Sequence, residues 1–379
     1  MDFELTEEQR LIQETARDFA ERELIPIAEK VDETREAPLD KVKMLGELGF
    51  LGMLVPEEYG GAGLDDVSYV LAMEEIARGC ASTCVIMDVN NSLVCEPLRM
   101  FGNEEQKRRV LTPLARGERL GAYCLTEPDA GSDAGSVKTR AVLDGDDYIL
   151  TGTKIFVTNG GFANTFIVFA NSDPEKGSRG ITAFIVEEER GVKRGTREKT
   201  LGIRASTTYE ILFEEVRVPR ANVLGEPGKG FKIAMEALDS GRIGIAAQAV
   251  GIARAAFERS VNHAKTRQQF GRPIGDFQAI QWKLADMAVQ IEAAHLLTMR
   301  AAVLRDTGGD YVTASAMAKL YASRVAVETA DAAIQVHGGY GYTQEYHVER
   351  HFRDAKITEL YEGTSEIQRL IIARRLLRG

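Results

Sequence analysis

Val137-Lys138-Thr139-Arg140-Ala141-Val142-Leu143, Asp144-Gly145-Asp146 and Tyr148-Ile149-Leu150 fall almost end to end in the chain. They read as strand, tight turn and strand, because a glycine between two acidic residues suits a short hairpin loop. This stretch decides the fold: it interrupts a chain whose other long segments repeat their apolar residues with helical spacing. Thr151-Gly152-Thr153 offers a further turn, and apolar or alternating runs recur at 165–170, 181–187 and 209–213. The middle third is therefore expected to be a β domain, an antiparallel barrel or sandwich.

Towards the N-terminus, Thr6 with Gln9 makes a capping box. Leu11, Ile12, Thr15, Ala16, Phe19, Glu23 and Leu24 then keep a helical period as far as Pro26. Further helices are expected over 38–49, 65–78, 82–101 and 104–116, with Pro56 and Gly60-Gly61-Ala62-Gly63 forcing a loop. The 82–101 segment is apolar on most sides near its start, which predicts burial. Beyond Pro227, the spacing predicts long helices over 231–265, 277–306 and 311–336 and a short one over 366–377. Short Gly- or Pro-marked connections between them suit an antiparallel four-helix bundle. The expected fold class is mixed α and β, mainly α. An N-terminal helical domain spans 1–118, a middle antiparallel β-barrel or sandwich domain 119–225, and a C-terminal four-helix bundle 226–379.

A chain of 379 residues exceeds one ordinary core, and 44% hydrophobic with 27% charged residues is a globular composition. The net charge of −10 disfavours a nucleic-acid partner, since phosphate binding draws on clustered Lys and Arg. No apolar run approaches the ~20 residues that span a bilayer, so no membrane partner is expected. Met1-Asp2-Phe3-Glu4 is acidic where an export signal is basic, which points to the cytoplasm. Cys80, Cys84, Cys95 and Cys124 form no Cys-x-x-Cys pair and read as buried reduced thiols.

Several motifs lead nowhere. Gly60–Gly63 lacks the preceding strand of a dinucleotide fold. Gly225-Glu226-Pro227-Gly228-Lys229-Gly230 lacks the spacing of a phosphate loop and reads as a flexible approach to the long helix. His347-Val348-Glu349-Arg350-His351 lacks the order of a zinc-protease motif and reads as a solvated charged turn; no metal site is expected.

Three other stretches carry residue types odd for purely structural work. Tyr123-Cys124-Leu125-Thr126-Glu127-Pro128-Asp129-Ala130-Gly131-Ser132 ends a strand in a threonine and a turn of exposed N–H groups, fit to hold a pyrophosphate or face a heterocycle. On local sequence alone an ordinary strand exit explains it as well. Phe156-Val157-Thr158-Asn159-Gly160 puts an aromatic and a hydroxyl on one strand face, suiting a flat ring or simply a core Phe with a surface Thr. Tyr361-Glu362-Gly363-Thr364-Ser365-Glu366-Ile367-Gln368 offers Ser365 and Gln368 as a capping box, with Glu362 in the loop before the helix. Burial would lift Glu362 into the range of a general base, whereas a solvated loop glutamate is the commoner fate.

Together with Gln335-Val-His-Gly-Gly-Tyr-Gly-Tyr342 and Arg353-Asp-Ala-Lys-Ile-Thr-Glu-Leu-Tyr361, these stretches give the chain, from Leu5 to Leu377, a specific resemblance. It resembles the acyl-CoA dehydrogenase family, most closely the short-chain, butyryl-type members. The resemblance implies FAD as cofactor, an acyl-CoA substrate, an electron-transferring flavoprotein as partner and a homotetramer built as a dimer of dimers. It implies a flavin ring against Tyr123, Cys124, Leu125, Thr126, Phe156, Val157 and Thr158, with Gly131 and Ser132 also binding the cofactor. Arg267, Phe270 and Gln278 would hold the pyrophosphate and adenosine end from a neighbouring subunit; Gln335, Gly338, Gly339, Thr364 and Glu366 would touch the same cofactor. Glu362 is implied as the base that takes the α-proton, with Ser132, Phe231, Asp239, Arg242, Tyr361 and Gly363 near substrate. Isovaleryl-type members carry the base on the long helix where this chain has Gly241, and glutaryl-type members an arginine on the acyl-pocket helix. Here that helix has no basic residue and carries Asp88, so a straight, uncharged acyl chain is expected. Asp88 and His337 have no role in this reading, and an oxygen-using acyl-CoA oxidase is the nearest alternative.

Overall fold

The computed structural model describes residues 4–378; the acidic Met1-Asp2-Phe3 start lies outside the described residues. Eight strands form the middle of the chain: β1 (Gly121–Cys124), β2 (Arg140–Asp144), β3 (Asp147–Val157), β4 (Thr165–Asn171), β5 (Ile181–Glu187), β6 (Lys193–Arg197), β7 (Tyr209–Pro219) and β8 (Val223–Leu224). They make one sheet in the order β6-β7-β3-β2-β4-β5-β8, with β1 beside β4. The β2–β3 hairpin pairs Asp144 with Asp147 across Gly145-Asp146, where Gly145 takes a φ of 62°. Thr151-Gly152-Thr153 is not a turn: β3 runs straight through it with a register shift against β7. A β-carbon at Gly152 would stand 2.5 Å from Thr139 Oγ1, so the glycine serves close approach rather than reversal. Most pairings are antiparallel, but β1 and β4 run parallel, because the β2–β3 hairpin intervenes as a crossover between them.

β4 is buried on both faces, which explains its unbroken apolar run. Phe166, Val168 and Ala170 join Leu150, Phe184, Ile211, Phe213 and Val218 in a core of the sheet's own. That core gathers strands from both ends of the sheet order, so the sheet curls over itself. Ile167 and Phe169 face the other way, into the large core shared with the helices.

The helices that matter for the site are α1 (Asp66–Gly79), α2 (Ala81–Asp88), α3 (Gly230–Thr266), α4 (Gln278–Asp306), α5 (Val312–His337), α6 (Val348–Ile357) and α7 (Ser365–Arg378). Between α2 and Phe101 the chain stays helical through a π-helical stretch, Val89–Cys95, and everything from Ala81 to Leu98 is buried as expected. Its asparagines are structural. Asn90 donates to the Leu51 and Leu114 carbonyls and accepts from Gly121 N, tying the helix to β1. α3 packs on α5, and its small residues admit close neighbours; a β-carbon at Gly251 would lie 2.3 Å from the Glu74 carbonyl oxygen on α1. Gly230, at the start of α3, sits so tightly on Thr182 and Ala183 of β5 that the approach to this helix is packed rather than flexible. All four cysteines are buried and free.

One further expectation needs correction. His347–His351 is not a solvated turn: α6 begins at Val348, and Arg350, His351 and Asp354 are buried, the last accepting from Ile203 N at 2.6 Å. A loop partner between β6 and β7 and burial, both non-local, outweigh the local polarity. α4 is also long and apolar enough, by length and composition alone, to cross a membrane, although no uninterrupted apolar run marks it in the sequence.

Candidate active site

Glu362 sits in the short loop between α6 and α7 with a left-handed φ of 51°, a conformation that needs outside support. Two side chains supply it. Lys319 Nζ on α5 donates to the Gly363 carbonyl at 2.7 Å, and Gln368 Nε2 donates to the same oxygen at 2.9 Å and to the Glu362 carbonyl at 3.3 Å. The capping box expected from Ser365 and Gln368 is absent. Thr364 Oγ1 accepts from Ile367 N instead, and Gln368 turns back because the sheltered loop carbonyls need donors.

The residue as a whole is half-buried, yet Glu362 Oε2 is closed off from solvent and has no hydrogen-bond partner. Burial first, then the neighbouring Asp88, push its pKa well above the ordinary carboxylate range, against the pull of Lys319 and Arg242. Burial also lowers Lys319, to about 7. Arg242 is buried on α3, paired with Asp239, and leaves its Nε unpartnered. Tyr361 donates its hydroxyl to Gln248, whose amide donates to the Ala81 carbonyl at 3.0 Å. Beneath the carboxyl group lies Gly241, where a β-carbon would stand 2.1 Å from Glu362 Oε2.

The strand ends supply a second wall. Tyr123 and Leu125 point towards the helices, with Tyr123 donating to the Ala234 carbonyl at 3.2 Å, whereas Cys124 is buried in the sheet's own core and meets this wall only through its backbone. Behind Thr126, Glu127 accepts from Thr139 N at 2.9 Å and from the buried Lys154 Nζ at 2.7 Å, while Lys154 also donates to the Leu125 carbonyl at 3.0 Å. That clamp anchors the turn carrying Gly131 and Ser132, both exposed; nothing approaches within 4 Å of a β-carbon built at Gly131. Phe231, on α3, lies 3.8 Å from a β-carbon built at Gly135 just beyond. The simple alternation expected at 156–158 is interrupted: Phe156 has a φ of 55° at a register shift and is 59% exposed, and Val157 is buried in the sheet core. Among the described residues the hydroxyls of Thr126, Ser132 and Thr158 make no hydrogen bond. An exposed aromatic face, three unpartnered hydroxyls and an open glycine turn fit a flat polar ring with an attached phosphate, as in FAD.

The remaining expected residues form a separate group. Arg267 stacks over Tyr340 at 5.0 Å, beside Gly338 and Gly339, whose surroundings are open; Phe270, in the hairpin after α3, is 94% exposed, and Gln278 and Gln335 are exposed. His337 is stacked on His263 at 4.2 Å and donates to or accepts from nothing in the Glu362 loop. Lys319 and Gln335 share α5, about 24 Å apart at 1.5 Å per residue, so one chain does not bring this group to Glu362. Thr364 and Glu366 stay with the Glu362 loop, Glu366 exposed. No motif marks Lys319, Gln248 or Lys154. The available signal for Lys319 is a lone charge among Ser315, Ala316, Ala322 and Ser323 at helical spacing.

Family models for the acyl-CoA dehydrogenase N-terminal, middle and C-terminal domains match residues 6–118, 122–216 and 228–377. The short-chain specific acyl-CoA dehydrogenase of Clostridium acetobutylicum is 51% identical over 379 residues, all of both chains. The mitochondrial short-chain specific enzyme of Homo sapiens is 52% identical over 99% of this chain and 92% of its own. Butyryl-CoA dehydrogenase from Megasphaera elsdenii superposes with a TM-score of 0.98 at 47% identity, covering 100% of both chains. A chain solved in work on the electron transferring flavoprotein of Acidaminococcus fermentans does so with 0.99 at 49% identity, again over 100% of both.

Proposed function

The chain belongs to the acyl-CoA dehydrogenase family, and from that premise we propose that it uses FAD to convert a short, uncharged acyl-CoA to the trans-2-enoyl-CoA, with Glu362 as base. The observation that carries this reading is the Glu362 carboxyl group: Oε2 is closed off from solvent and unpartnered, and the group is held by a loop that Lys319 and Gln368 fix.

A thioester α-proton is too weakly acidic for a carboxylate in water, so the site has to stabilise charge on the thioester carbonyl as the proton leaves. The Glu362 backbone N–H makes no hydrogen bond among the described residues and is free to donate to that oxygen. Burial raises the basicity of Glu362, and Arg242 and Lys319 offset the charge without neutralising it. When bound, FAD supplies the acceptor for the β-hydrogen as hydride. Thr126 and Thr158 would hydrogen-bond its ring, and Gly131 with Ser132 would face the attached phosphate.

Asp88, buried beside Glu362, opposes an anionic acyl terminus, which supports a neutral chain. The similarity to the chain from the Acidaminococcus fermentans work supports an electron-transferring flavoprotein as acceptor. A homotetramer in the cytoplasm completes the reading. On α4, Trp282, Val289, Leu296 and Val303 stand 40–69% exposed at seven-residue spacing, an apolar seam fit for another helix. In such an assembly the Arg267–Gly339 group would serve the cofactor of a neighbouring subunit.

A dye-linked assay across saturated acyl-CoAs tests the substrate: activity is expected to peak at the short end, and a peak with long chains would refute it. Glu362→Gln is expected to keep the flavin and lower turnover by ~100-fold or more; near-normal turnover would remove Glu362 from the mechanism.

A further inference from the structure

We propose that Asp88 is the proton partner of Glu362: the two facing carboxyl groups share one proton, and Asp88 takes it when Glu362 acts as base. This rests on the reading of Glu362 as the base and deepens it.

Asp88 closes α2, fully buried, where an unpaired carboxylate is expensive. Its Oδ1 accepts the Tyr69 hydroxyl at 2.6 Å, while its Oδ2 has no partner; across from it Glu362 Oε2 has none either. The two groups are electrostatic neighbours: Asp88, after burial, is the next cause that raises Glu362. Both press on one face of α3, a turn apart. A β-carbon at Gly244 would stand 2.1 Å from Asp88 Oδ1, and one at Gly241 the same distance from Glu362 Oε2. Two orphaned acceptors in one dry site are satisfied together by a single added proton, which turns one of them into a donor.

The groups facing the pair are few. Tyr69 comes from α1, Cys84 from α2, Ser92 from the π-helical stretch, Arg242 from α3, Lys319 from α5, Tyr123 from β1 and Tyr361 from the loop itself. Arg242 is already paired with Asp239, so with Lys319 the site offsets one negative charge in the pair; a second would be uncompensated in a low-dielectric site. The proton balance follows. At rest the pair holds one proton. It moves to Asp88 Oδ2 and leaves Glu362 as the carboxylate. Glu362 then takes the α-proton, and the pair ends with two protons and no net charge.

The test uses the flavin-loaded enzyme. Asp88→Asn keeps an acceptor for Tyr69 and removes the shared proton. The acidic limb of its kcat/KM profile with a four-carbon acyl-CoA is expected to move down by roughly one pH unit or more. The infrared band of a buried protonated carboxyl group, present in the substrate-free wild type at neutral pH, is expected to vanish. An unmoved limb or a retained band would overturn the pairing. Asp88→Ser, also neutral, carries the same test if the asparagine variant does not accumulate. Normal turnover in Glu362→Gln would instead dismiss the base while the band still reports on the pair.

Discussion

At the scale of single residues, the loop that carries Glu362 depends on a lysine that holds its backbone rather than its carboxyl group. Lys319 is buried among alanines and serines and spends its amine on the Gly363 carbonyl. Lys319→Met fills the space without the donor, so turnover is expected to fall by about tenfold or more with flavin content unchanged, because a displaced base loses its attack geometry. Dye-linked turnover and the visible flavin spectrum check this; unchanged turnover would show that Gln368 suffices. Asp354 allows a second prediction. Burial lifts its pKa from 3.8 to about 6, against the pull of Arg350. A raised acid contributes stability that is present below its unfolded value and lost as pH rises through the folded one. Asp354→Asn, which keeps the acceptor for Ile203 N, should therefore gain on the wild type in unfolding free energy between pH 4 and pH 7, by about 3 kcal/mol for a shift of that size, read from denaturant melts across that range. A pH-independent difference would contradict it. The loop carrying Glu362 was legible because it stands just before a helical run. Lys319 was not, since its partner lies 44 residues away and helical spacing gives only a lone charge on a small-residue face.

At the scale of elements, the cofactor wall depends on a clamp behind it. Lys154 on β3 meets Glu127 in the turn after β1, both buried. Lys154→Met leaves Glu127 buried without its cation, which is expected to cost ~3–5 kcal/mol. It should also lower the flavin retained per chain after gel filtration; full retention at wild-type stability would show the turn to be held otherwise. The hairpin at β2–β3 and the runs at β4, β5 and β7 were legible from alternation and turn chemistry. β6 was not, because Lys193, Arg194 and Arg197 make it a charged edge strand with no apolar signal. Gly152 was misleading for a related reason: what it accommodates is Thr139 from the neighbouring strand, a contact that no local window contains. Likewise α6 reads as polar because Arg350, His351 and Asp354 are charged types whose burial depends on elements far away in the chain.

At the scale of the whole molecule, the exposed seam on α4 is the feature that the chain alone leaves uncovered. Val289→Glu places a charge in its middle at a position 69% exposed, so the folded chain tolerates it. Sedimentation is expected to show dissociation to smaller species with the melting curve of the individual chain retained; an unaltered assembly would mean that another face joins the subunits. The three-part architecture was legible from the change of texture at the two ends of the β region, whereas the separation of the expected cofactor residues into two groups was not, since it depends on how far α5 carries one end from the other. That distance has a further consequence. Lys319 and Gln335 ride on one unbroken rod, so their spacing and relative bearing are set by helical pitch and nothing else. One inserted residue between them would swing one site against the other by about 100°. The surface of this helix can be rewritten residue by residue, whereas a change in its length would turn one end against the other.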